Sequence, residues 1–496
     1  MDMEHTEKTS IIKSLDYVFD PGSVAVIGAS NKIGSWGYGV MSRLLGENKR
    51  KIYPVNAKSS DIFGIKAYKN IEDIPDTVDF AVLSVAPNKT ADVMRDCVEK
   101  GVKAALVISG GLAESGDEGE MIEKEIVDIA QKGGLRFIGP NSMGHTNTNS
   151  SFSTLAWMEN VLSGPVAFLS QSGTYGQRVI RTGMHRGIGF SKFVSNGNEA
   201  DLHMEDYIEY LAKDEKTKII TAYVEGLREG RRFFELAKEI TREKPIILMK
   251  AGSTQGSAKA AKSHTAALSG SNEIYEAMFR QSGIIRVYDE EEMFDVVSAL
   301  LSIPLPRGNR IGIITEGGGI GVMMAEATER AGLELPNFSP KTTEGLKSLL
   351  PSRCSYGNPT DITDLVTSGD LIIFSCLGMI MDDPNTDAVI LLGGIGASNY
   401  FSSMLGNTSY ADTDEFRNMV HSLKEQELNN LNIIKDKINE LHKPLIYVNL
   451  MPSVMEEPES FKYLRERNIP IFPNPVRAAT TLKHLVQYNN YLRYSK

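Results

Sequence analysis

The chain has 496 residues, and its 53 lysines and arginines against 63 aspartates and glutamates give a formal net charge of −10. This length predicts two to four domains, and the acidic charge argues against nucleic acid as a partner. The three cysteines have neither CxxC nor metal-ligand spacing, which argues against a disulfide framework and a metal site. The sequence shows no apolar leader and no run near 18 apolar residues, so we expect a cytoplasmic protein without a membrane anchor.

Short apolar runs alternate with amphipathic stretches of ten or more residues along most of the chain. This alternation is typical of βαβ units and parallel sheets, so the predicted fold class is α/β. The first block ends near GPNSMG, and its predicted strands are Val24–Ile27, Lys51–Val55, Phe80–Val85, Ala104–Ile108 and Arg136–Ile138.

The first candidate site is the segment VAVIGASNKIGSWGYG, residues 24–39, where an apolar strand runs into a turn of small residues. Such a turn lets backbone N–H groups approach a diphosphate. The glycines do not follow GxGxxG spacing, and the second strand is followed by Asn56 and Lys58 rather than by an acid. A lysine at this position suits the phosphorylated ribose of CoA or NADP better than the unphosphorylated ribose of NAD. The alternative is a tight turn without a ligand.

The second block opens at Gly164 and contains predicted strands at Ile219–Val224 and Pro245–Lys250. Its first strand leads into the turn FLSQSGTYG, in which Ser172, Gly173 and Thr174 begin a predicted helix. Their N–H groups can face an anion. Glycine also permits close packing of a helix on a strand, so this turn alone leaves both interpretations open.

A long run of small and polar residues, MKAGSTQGSAKAAKSHTAALSG, occupies residues 249–270 and has few side chains to bury in a core. It carries His264, whose neutral imidazole can attack an electrophilic phosphorus. Glu225 lies at the carboxyl end of the strand Ile219–Val224, where it can hold the other imidazole nitrogen. The alternatives are a solvated histidine and a carboxylate on the surface.

The segment IPLPRGN, residues 303–309, predicts a linker before the third block. That block has predicted strands beginning at Arg310, Ala388 and Pro444, and a helix from about Val476. The stretch 397–442 has helical spacing and is predicted to cover the third sheet.

The third block repeats the strand, turn and helix with which the second block opens. In IITEGGGIGVMMAE its turn exposes Gly317, Gly318 and Gly319 to an anion. Two such turns suggest a phosphate held from both sides.

These motifs resemble those of the ADP-forming acyl-CoA synthetases, in particular the alpha chain of ADP-forming acetate–CoA ligase, and the family is related to succinyl-CoA synthetase. The resemblance runs from about Leu15 to Tyr488. It rests on IGAS, YPVNAK, GPNSMG, FLSQSGTYG, SNGNEADL, YVEG, KAGSTQGSAKAAKSHTAALSGS, FRQSGIIRV, EGGGIGV and NPTDIT.

The resemblance implies three domains: a Rossmann-like CoA-binding domain (1–145), a flavodoxin-like domain with a phosphohistidine loop (146–303) and a second flavodoxin-like domain (304–496). It implies that His264 is the phosphohistidine, that Glu225 hydrogen-bonds it, and that Gln177 contacts the acyl group. The implied phosphate-binding residues are Ser172, Gly173, Thr174, Gly317, Gly318 and Gly319. The implied CoA-binding residues are Ser30, Asn31, Lys58, Ala86, Pro87, Ser109 and Gly110.

The implied reaction is acid + CoA + ATP ⇌ acyl-CoA + ADP + phosphate, with a small organic acid as substrate. Three domains use the whole length, and no ATP-grasp module is present in the sequence. The resemblance therefore implies a separate ATP-grasp beta subunit, expected in a heterotetramer, that binds ADP or ATP with Mg²⁺.

Three residues depart from the family pattern: Ala266 replaces a glycine, Glu316 an uncharged residue and Ile320 a proline. A carboxylate at residue 316 would repel a phosphate unless it points away. Ala266 and Glu316 would favour one rival, a non-catalytic CoA or acyl-CoA binding protein. A second rival is an acyl or carbamoyl transferase without an ATP-grasp partner. An NADP-dependent oxidoreductase fits the first turn only.

Overall fold

The protein has the predicted α/β fold, and its described residues form two compact units, residues 1–293 and 294–496. The predicted domain limits at residues 145 and 303 stay predictions. His264 and Ala266 lie outside the described residues. The computed structural model describes residues 2–47, 49–254, 256–257, 271–362, 372–405, 413–449 and 459–494.

The first sheet of unit 1 is parallel, with the strand order β2-β1-β5-β6-β7. Strands β1 and β5 are apolar and buried along their whole length, as expected for a sheet covered on both faces. The sheet strands are β1 (Ser23–Ile27), β2 (Lys51–Val55), β5 (Phe80–Leu83), β6 (Ala104–Val107) and β7 (Arg136–Ile138). A hairpin of β3 (Asp61–Ile62) and β4 (Ile65–Lys66) follows β2. The helices of this part are Asp2–Phe19, Trp36–Glu47, Thr90–Lys100 and Asp117–Lys132.

The second sheet of unit 1 has seven strands in the order β14-β13-β12-β10-β11-β8-β9. Its first five members are parallel, whereas β8 and β9 are antiparallel additions at one edge. Its strands are β8 (His145–Asn147), β9 (Phe152–Ser153), β10 (Ser163–Ser170), β11 (Phe190–Ser195), β12 (Ile219–Val224), β13 (Ile246–Lys250) and β14 (Ile285–Val287). Its helices are Gly173–His185, Met204–Lys213, Gly230–Ile240 and Asn272–Ser282, and the helix Glu290–Ser302 crosses the division between the units.

One apolar core joins the two sheets of unit 1. Leu15, Val18 and Phe19, at the end of the helix Asp2–Phe19, are fully buried. Together with Val26 of β1 and Leu169 of β10 they belong to one cluster of buried side chains. The burial of this shared surface explains why both sheets form a single compact unit.

Unit 2 contains a parallel sheet in the order β16-β15-β17-β18-β19. Its strands are β15 (Ile311–Thr315), β16 (Thr360–Asp361), β17 (Ala388–Leu392), β18 (Leu445–Val448) and β19 (Ile471–Phe472). The Thr413 hydroxyl accepts a hydrogen bond from the Phe416 N–H and so caps the 28-residue helix Asp414–Leu441. The helices are Gly318–Arg330, Pro340–Leu349, Ile372–Asp382, Ala397–Met404, Asp414–Leu441, Glu459–Glu466 and Pro475–Tyr494.

The five parallel strands of each sheet share one connectivity, in which the second strand along the chain lies outside the first and the third to fifth follow on its other side. In such sheets the connections change direction beside the first strand, and ligands bind at the carboxyl ends of the strands there. This geometry directs attention to the segments after β1, β10 and β15. Within the part of the chain that the structure describes, no helix combines the length and the apolar character needed to cross a membrane.

Candidate functional site

The carboxyl ends of β10, β12 and β13 meet at one edge of the second sheet. Ser170 is in register with Tyr223, and Val224 is in register with Lys250. The turn after β10, the residue Glu225 after β12 and the start of the segment that leads to His264 therefore lie at this same edge. His264 itself lies outside the described residues, so its contact with Glu225 stays a prediction.

The turn after β10 is held closely against its surroundings. Ser172 is the N-cap of the helix Gly173–His185, and its carbonyl oxygen accepts a 2.7 Å hydrogen bond from the Ser170 hydroxyl. A Cβ atom at Gly173 would lie only 2.4 Å from Cγ of Met143, so the close packing requires glycine. Thr174 is exposed. The first N–H groups of this helix can therefore bind an anion.

The Glu225 side chain is buried, and one of its two carboxylate oxygens has no described hydrogen-bond partner. The residue is 8% exposed, and its Oε2 atom is fully buried without a hydrogen-bond partner among the described residues. A buried carboxylate oxygen without a donor is costly. The position is thus suited to a hydrogen-bond donor that the described residues do not supply.

Two residues that the sequence analysis did not select hold the backbone around Glu225. Oε1 of Gln171 accepts hydrogen bonds from the N–H groups of Glu225, at 2.5 Å, and Gly226, at 3.1 Å. Nζ of Lys250 donates to the Glu225 carbonyl oxygen at 2.9 Å. Burial lowers the pKa of Lys250, and the nearby Arg286 lowers it further. Both residues stand in quoted motifs, SQSG and KAGS, but neither motif reveals these contacts.

Gln177 is buried on the helix Gly173–His185, one turn after Gly173. Its Nε2 atom is buried and has no hydrogen-bond partner within the described part of the chain. A buried amide N–H group without a protein acceptor can donate a hydrogen bond to a polar group of a bound molecule and so orient it. Its predicted contact with an acyl group stays a prediction.

In the first sheet, the turn after β1 depends on two glycines. Gly28 has a φ of +89°, and a Cβ atom there would lie 2.1 Å from the Ser84 carbonyl oxygen. A Cβ atom at Gly37 would lie 2.0 Å from the Gly28 carbonyl oxygen. The start of the helix Trp36–Glu47 is therefore packed directly against the turn, which only glycine permits.

Two predicted CoA-binding residues shape this turn through their own side chains. The Ser30 hydroxyl accepts a hydrogen bond from the Lys32 N–H at 3.0 Å. The Asn31 side chain donates to the Asp61 carbonyl oxygen and accepts from the Phe63 N–H. The two contacts of Asn31 attach the turn to the hairpin that follows β2.

The other predicted CoA-binding residues follow β2, β5 and β6, so the order of the sheet brings all seven to one edge. Lys58 is exposed, and its N–H donates to the Asn56 side chain at 2.8 Å. The Ser109 hydroxyl donates to the Val85 carbonyl oxygen at 2.6 Å and so links the segments after β6 and β5. The remaining members are the exposed Ala86 and the partly exposed Pro87 and Gly110.

Unit 2 has a comparable turn after β15. Gly317 is the N-cap of the helix Gly318–Arg330, and its N–H donates to the Thr315 hydroxyl at 3.2 Å. A Cβ atom at Gly318 would lie 2.9 Å from Oδ2 of Asp361, whereas one at Gly319 would have no described atom within 4 Å. Gly318 therefore packs closely against Asp361, whereas the space beside Gly319 is open within the described residues.

The Glu316 carboxylate bends toward the segment after β17, where it accepts a 2.6 Å hydrogen bond from the Gly394 N–H. Burial raises the pKa of Glu316 above its ordinary value, although the hydrogen bond from Gly394 offsets part of the increase. The carboxylate thus has its own partner within unit 2, which reduces the repulsion expected from the sequence.

The three cysteines, Cys97, Cys354 and Cys376, are buried and free. Burial raises the pKa of Cys97, and it raises the pKa of Cys376 to about 12. These two thiols stay protonated near neutral pH and are poor nucleophiles. Within the residues described, no group of three or more His, Cys, Asp and Glu side chains is arranged to hold a metal ion.

Two family models match unit 1 and the start of unit 2. Residues 22–148 match a CoA binding domain. Residues 163–300 match the succinyl-CoA ligase like flavodoxin domain. The first match includes all seven predicted CoA-binding residues, and the second includes Ser172, Glu225 and His264.

Similar proteins extend the comparison to almost the whole chain. The chain is 38% identical to acetate–CoA ligase [ADP-forming] II subunit alpha of Pyrococcus furiosus, over 95% of this chain and 97% of that protein. It is 40% identical to acetate–CoA ligase [ADP-forming] I of Archaeoglobus fulgidus, over 76% of this chain but 54% of the relative. A solved structure of the dinucleotide forming acetyl-coenzyme A synthetase 1 of Ca. Korarchaeum cryptofilum, in complex with phosphate and ADP, covers 97% of this chain and 98% of that chain, with a TM-score of 0.79 and 32% identity.

Proposed function

Because the chain belongs to the family of ADP-forming acetate–CoA ligase alpha subunits, we propose that it is the CoA-binding and phosphoryl-carrying subunit of an ADP-forming acyl-CoA synthetase. The reaction is acid + CoA + ATP ⇌ acyl-CoA + ADP + phosphate. The substrate is a small organic acid, for which the names of the relatives suggest acetate.

The proposed reaction has three displacements in the direction of ATP formation. An oxygen of inorganic phosphate attacks the thioester carbon, the carbon–sulfur bond breaks, and CoA leaves as its thiolate while acyl phosphate remains. An imidazole nitrogen of His264 then attacks phosphorus, and the acid leaves as its carboxylate. An oxygen of ADP finally takes the phosphoryl group from the histidine and yields ATP.

The observation that carries this proposal is the buried Oε2 atom of Glu225, which has no partner among the described residues. The chain leaves β13 at Lys250, the register partner of Val224, and continues into the segment that contains His264. An imidazole N–H is a suitable donor for this oxygen. The same carboxylate would stabilise the positive charge that the ring gains when its other nitrogen is phosphorylated.

Helix N-termini would stabilise the phosphoryl group during transfer. Ser172, Gly173 and Thr174 form the first helix turn at the same sheet edge as Glu225. Gly317, Gly318 and Gly319 form the equivalent turn in unit 2. Their backbone N–H groups and the positive ends of the helices favour an anion without adding a full positive charge that would hold it too tightly.

CoA would bind across the carboxyl edge of the first sheet. Lys58 would pair with a phosphate of the adenosine portion, while the segments after β1, β5 and β6 would contact the rest of the molecule through Ser30, Asn31, Ala86, Pro87, Ser109 and Gly110. The match of residues 22–148 to a CoA binding domain supports this assignment. Gln177 would contact the acyl end.

The nucleotide and Mg²⁺ would bind to a separate ATP-grasp beta subunit in a cytoplasmic heterotetramer. The Pyrococcus furiosus relative is named as a subunit alpha, which implies a further subunit. The Archaeoglobus fulgidus ligase is matched over only 54% of its length, so almost half of that chain has no counterpart in the match. A second chain would supply the corresponding part here.

The proposal is tested by measuring ATP formation from acetyl-CoA, ADP, Mg²⁺ and phosphate. We expect turnover by the complex with its partner subunit and none by the single chain. His264→Ala should abolish turnover and change the CoA dissociation constant by less than about twofold, because CoA binds to another sheet. The matched control, His421→Ala, removes an exposed imidazole and should behave as the wild type.

Three outcomes contradict parts of the proposal. Full turnover by the single chain would contradict the need for a partner, and turnover by His264→Ala would contradict the histidine carrier. Tight CoA binding by a complex that never becomes phosphorylated would support the non-catalytic rival.

A further inference from the structure

The motif SNGNEADL has no assigned role, although its residues 196–199 form a largely buried loop directly after β11. Glu199 is 2% exposed and has a φ of +52°, a left-handed conformation that is uncommon for a residue with a long side chain. The Asn196 N–H donates to the Ser170 carbonyl oxygen at 2.8 Å. The loop therefore lies against the end of β10, where the predicted phosphate-binding turn begins.

A chain of hydrogen bonds leads from Glu199 to Glu225. Oε2 of Glu199 accepts a 2.7 Å hydrogen bond from Nε2 of Gln171. The same Nε2 donates to the Gly226 carbonyl oxygen at 2.7 Å. The opposite end of this amide, Oε1, accepts from the N–H groups of Glu225 and Gly226. All the hydrogen-bonding capacity of the Gln171 amide is thus used between Glu199 and the turn 225–226.

The direction in which the Gln171 amide points is essential to this chain. A glutamine amide has a donor end and an acceptor end, and rotation by half a turn would place its NH₂ group against two backbone N–H donors. Glu199 accepts hydrogen bonds through both oxygens, from Asn196 and from Gln171. It therefore favours the orientation in which Oε1 of Gln171 faces Glu225.

We propose that Glu199 is a positioning residue that orients the Glu225 carboxylate toward the phosphoryl-carrying histidine through the amide of Gln171. This inference rests on the proposed function. It adds a buried residue whose described side-chain hydrogen bonds come from Asn196 and Gln171, neither of which is a predicted ligand-binding residue.

The loop is anchored on its other side as well. A Cβ atom at Gly197 would lie 2.0 Å from the Pro140 carbonyl oxygen, and the Asn198 N–H donates to that same oxygen at 2.9 Å. The Asn198 side chain donates to Glu114 at 2.6 Å and to Glu123 at 2.9 Å. Because these contacts restrain the loop, the backbone of Glu199 is held in place and its side chain can orient Gln171.

The charge state of Glu199 is compatible with this role. Burial raises its pKa to about 8, with the nearby Glu205 raising it further and Asn196, Gln171 and Arg228 opposing the increase. Near neutral pH the carboxyl group is therefore largely uncharged. It can still accept the Gln171 hydrogen bond without adding a second negative charge near Glu225.

The test measures the rate at which the complex with its partner subunit is phosphorylated from acetyl-CoA and ³²P-phosphate in a single turnover. Glu199→Gln keeps the size of the side chain but replaces one carboxyl oxygen, which can accept a hydrogen bond even when it is protonated, by an NH₂ group that only donates, so the hydrogen bond from Asn196 or from Gln171 is lost. We expect phosphorylation to slow by about 10-fold or more, as when a partner that orients a metal-binding side chain is removed. The CoA dissociation constant should change by less than about twofold.

A double-mutant cycle separates positioning from a general structural effect. In the Glu225→Gln background, Glu199→Gln should slow phosphorylation by less than about twofold, since the carboxylate that it positions is already absent. The matched control is Glu205→Gln, which alters another buried carboxyl group that lies near Glu199 but is not bonded to Gln171. This control should be phosphorylated at close to the wild-type rate.

The inference is overturned if Glu199→Gln is phosphorylated at the wild-type rate, or if its effect is undiminished in the Glu225→Gln background. A wild-type complex that is not labelled at all would instead contradict the proposed function. If Glu199→Gln does not fold, Glu199→Asp replaces it, because Asp tolerates a φ of +52° and is one methylene too short to reach Gln171. It should show the same slowing, and a wild-type rate in Glu199→Asp would overturn the inference.

Discussion

Glu225 is the residue on which the proposed chemistry depends most directly within the described chain. Replacing it by Gln keeps the side-chain volume and removes the negative charge that the proposal places opposite the phosphorylated imidazole. We expect phosphorylation of the complex to slow by about 10- to 100-fold with the CoA dissociation constant unchanged. Single-turnover labelling with ³²P-phosphate and acetyl-CoA measures the rate.

Urea denaturation of Glu225→Gln provides a second test of the role of Glu225. Because an amide oxygen can still accept a hydrogen bond from the imidazole N–H, and a neutral amide costs less to bury than a carboxylate, this exchange should not lower the free energy of unfolding. Glu239→Gln, on the exposed face of the helix Gly230–Ile240, is the control and should match the wild type in both measurements. A large loss of stability with normal phosphorylation would show that Glu225 has only a structural role.

Glu199 should make the stability of the protein depend on pH. Burial raises its pKa from 4.5 to about 8, so between these values the folded chain holds a proton that the unfolded chain has released. Unfolding then releases this proton, and the contribution of Glu199 to the free energy of unfolding falls as the pH rises, by up to about 1.4 kcal/mol per pH unit.

Glu199→Gln lacks this titration while Glu205, Arg228 and the other neighbours remain. Its stability relative to the wild type should therefore increase from pH 5 to pH 8 and level off above. Urea denaturation of both proteins at four pH values measures the difference. A difference that is constant with pH would contradict an uncharged Glu199 in the fold.

The sequence predicts which residues lie at the end of a strand, because apolar runs show where the carboxyl edge of the sheet lies. Glu225 and Ser172 are examples, and both lie at that edge in the structure, while their roles stay predictions. Gln171 and Glu199 are 28 residues apart, and Glu316 and Gly394 are 78 residues apart. Which side chains such residues meet depends on the tertiary packing, so the sequence pattern alone could not predict these contacts.

At the scale of elements, the turn between β1 and the helix Trp36–Glu47 gives a direct test of close packing. Gly28→Ala would place a Cβ atom 2.1 Å from the Ser84 carbonyl oxygen at a φ of +89°. We expect the free energy of unfolding to fall by about 2 kcal/mol or more, because the clash adds to the backbone strain. CoA binding should weaken as the turn shifts.

Gly34→Ala is the matched control for this substitution. Gly34 has nearly the same φ, +88°, but no described atom lies within 4 Å of a Cβ placed there. The control should lose only the strain component, about 1 to 2 kcal/mol. Equal losses in urea denaturation would mean that the approach to Ser84 contributes nothing.

Most strands of the parallel sheets could be predicted because their buried, apolar sequences are distinctive. Strand β2 was predicted with its observed bounds, Lys51–Val55, and β12 likewise as Ile219–Val224. The antiparallel strands β8 and β9 were not predicted. Residues 145–147, the sequence HTN, carry no apolar alternation, and they pair only because the chain returns to the free side of β11.

At the scale of the whole molecule, the two compact units of the described chain contain three sets of five parallel strands with the same connectivity. CoA, the acyl group and the histidine are assigned to unit 1, and a further phosphate-binding turn is assigned to unit 2. In the proposed division of labour, the nucleotide binds to a separate ATP-grasp subunit. The phosphoryl group would then travel to it on a covalent carrier, which is the central claim.

The position of the phosphoryl group tests this claim most directly. The complex is incubated with acetyl-CoA and ³²P-phosphate, digested at alkaline pH and analysed by mass spectrometry. The account predicts an acid-labile, base-stable phosphoryl group on His264, which is absent in His264→Ala and is released as ATP when ADP and Mg²⁺ are added. A phosphoryl group on another residue, or undiminished labelling of His264→Ala, would contradict the account.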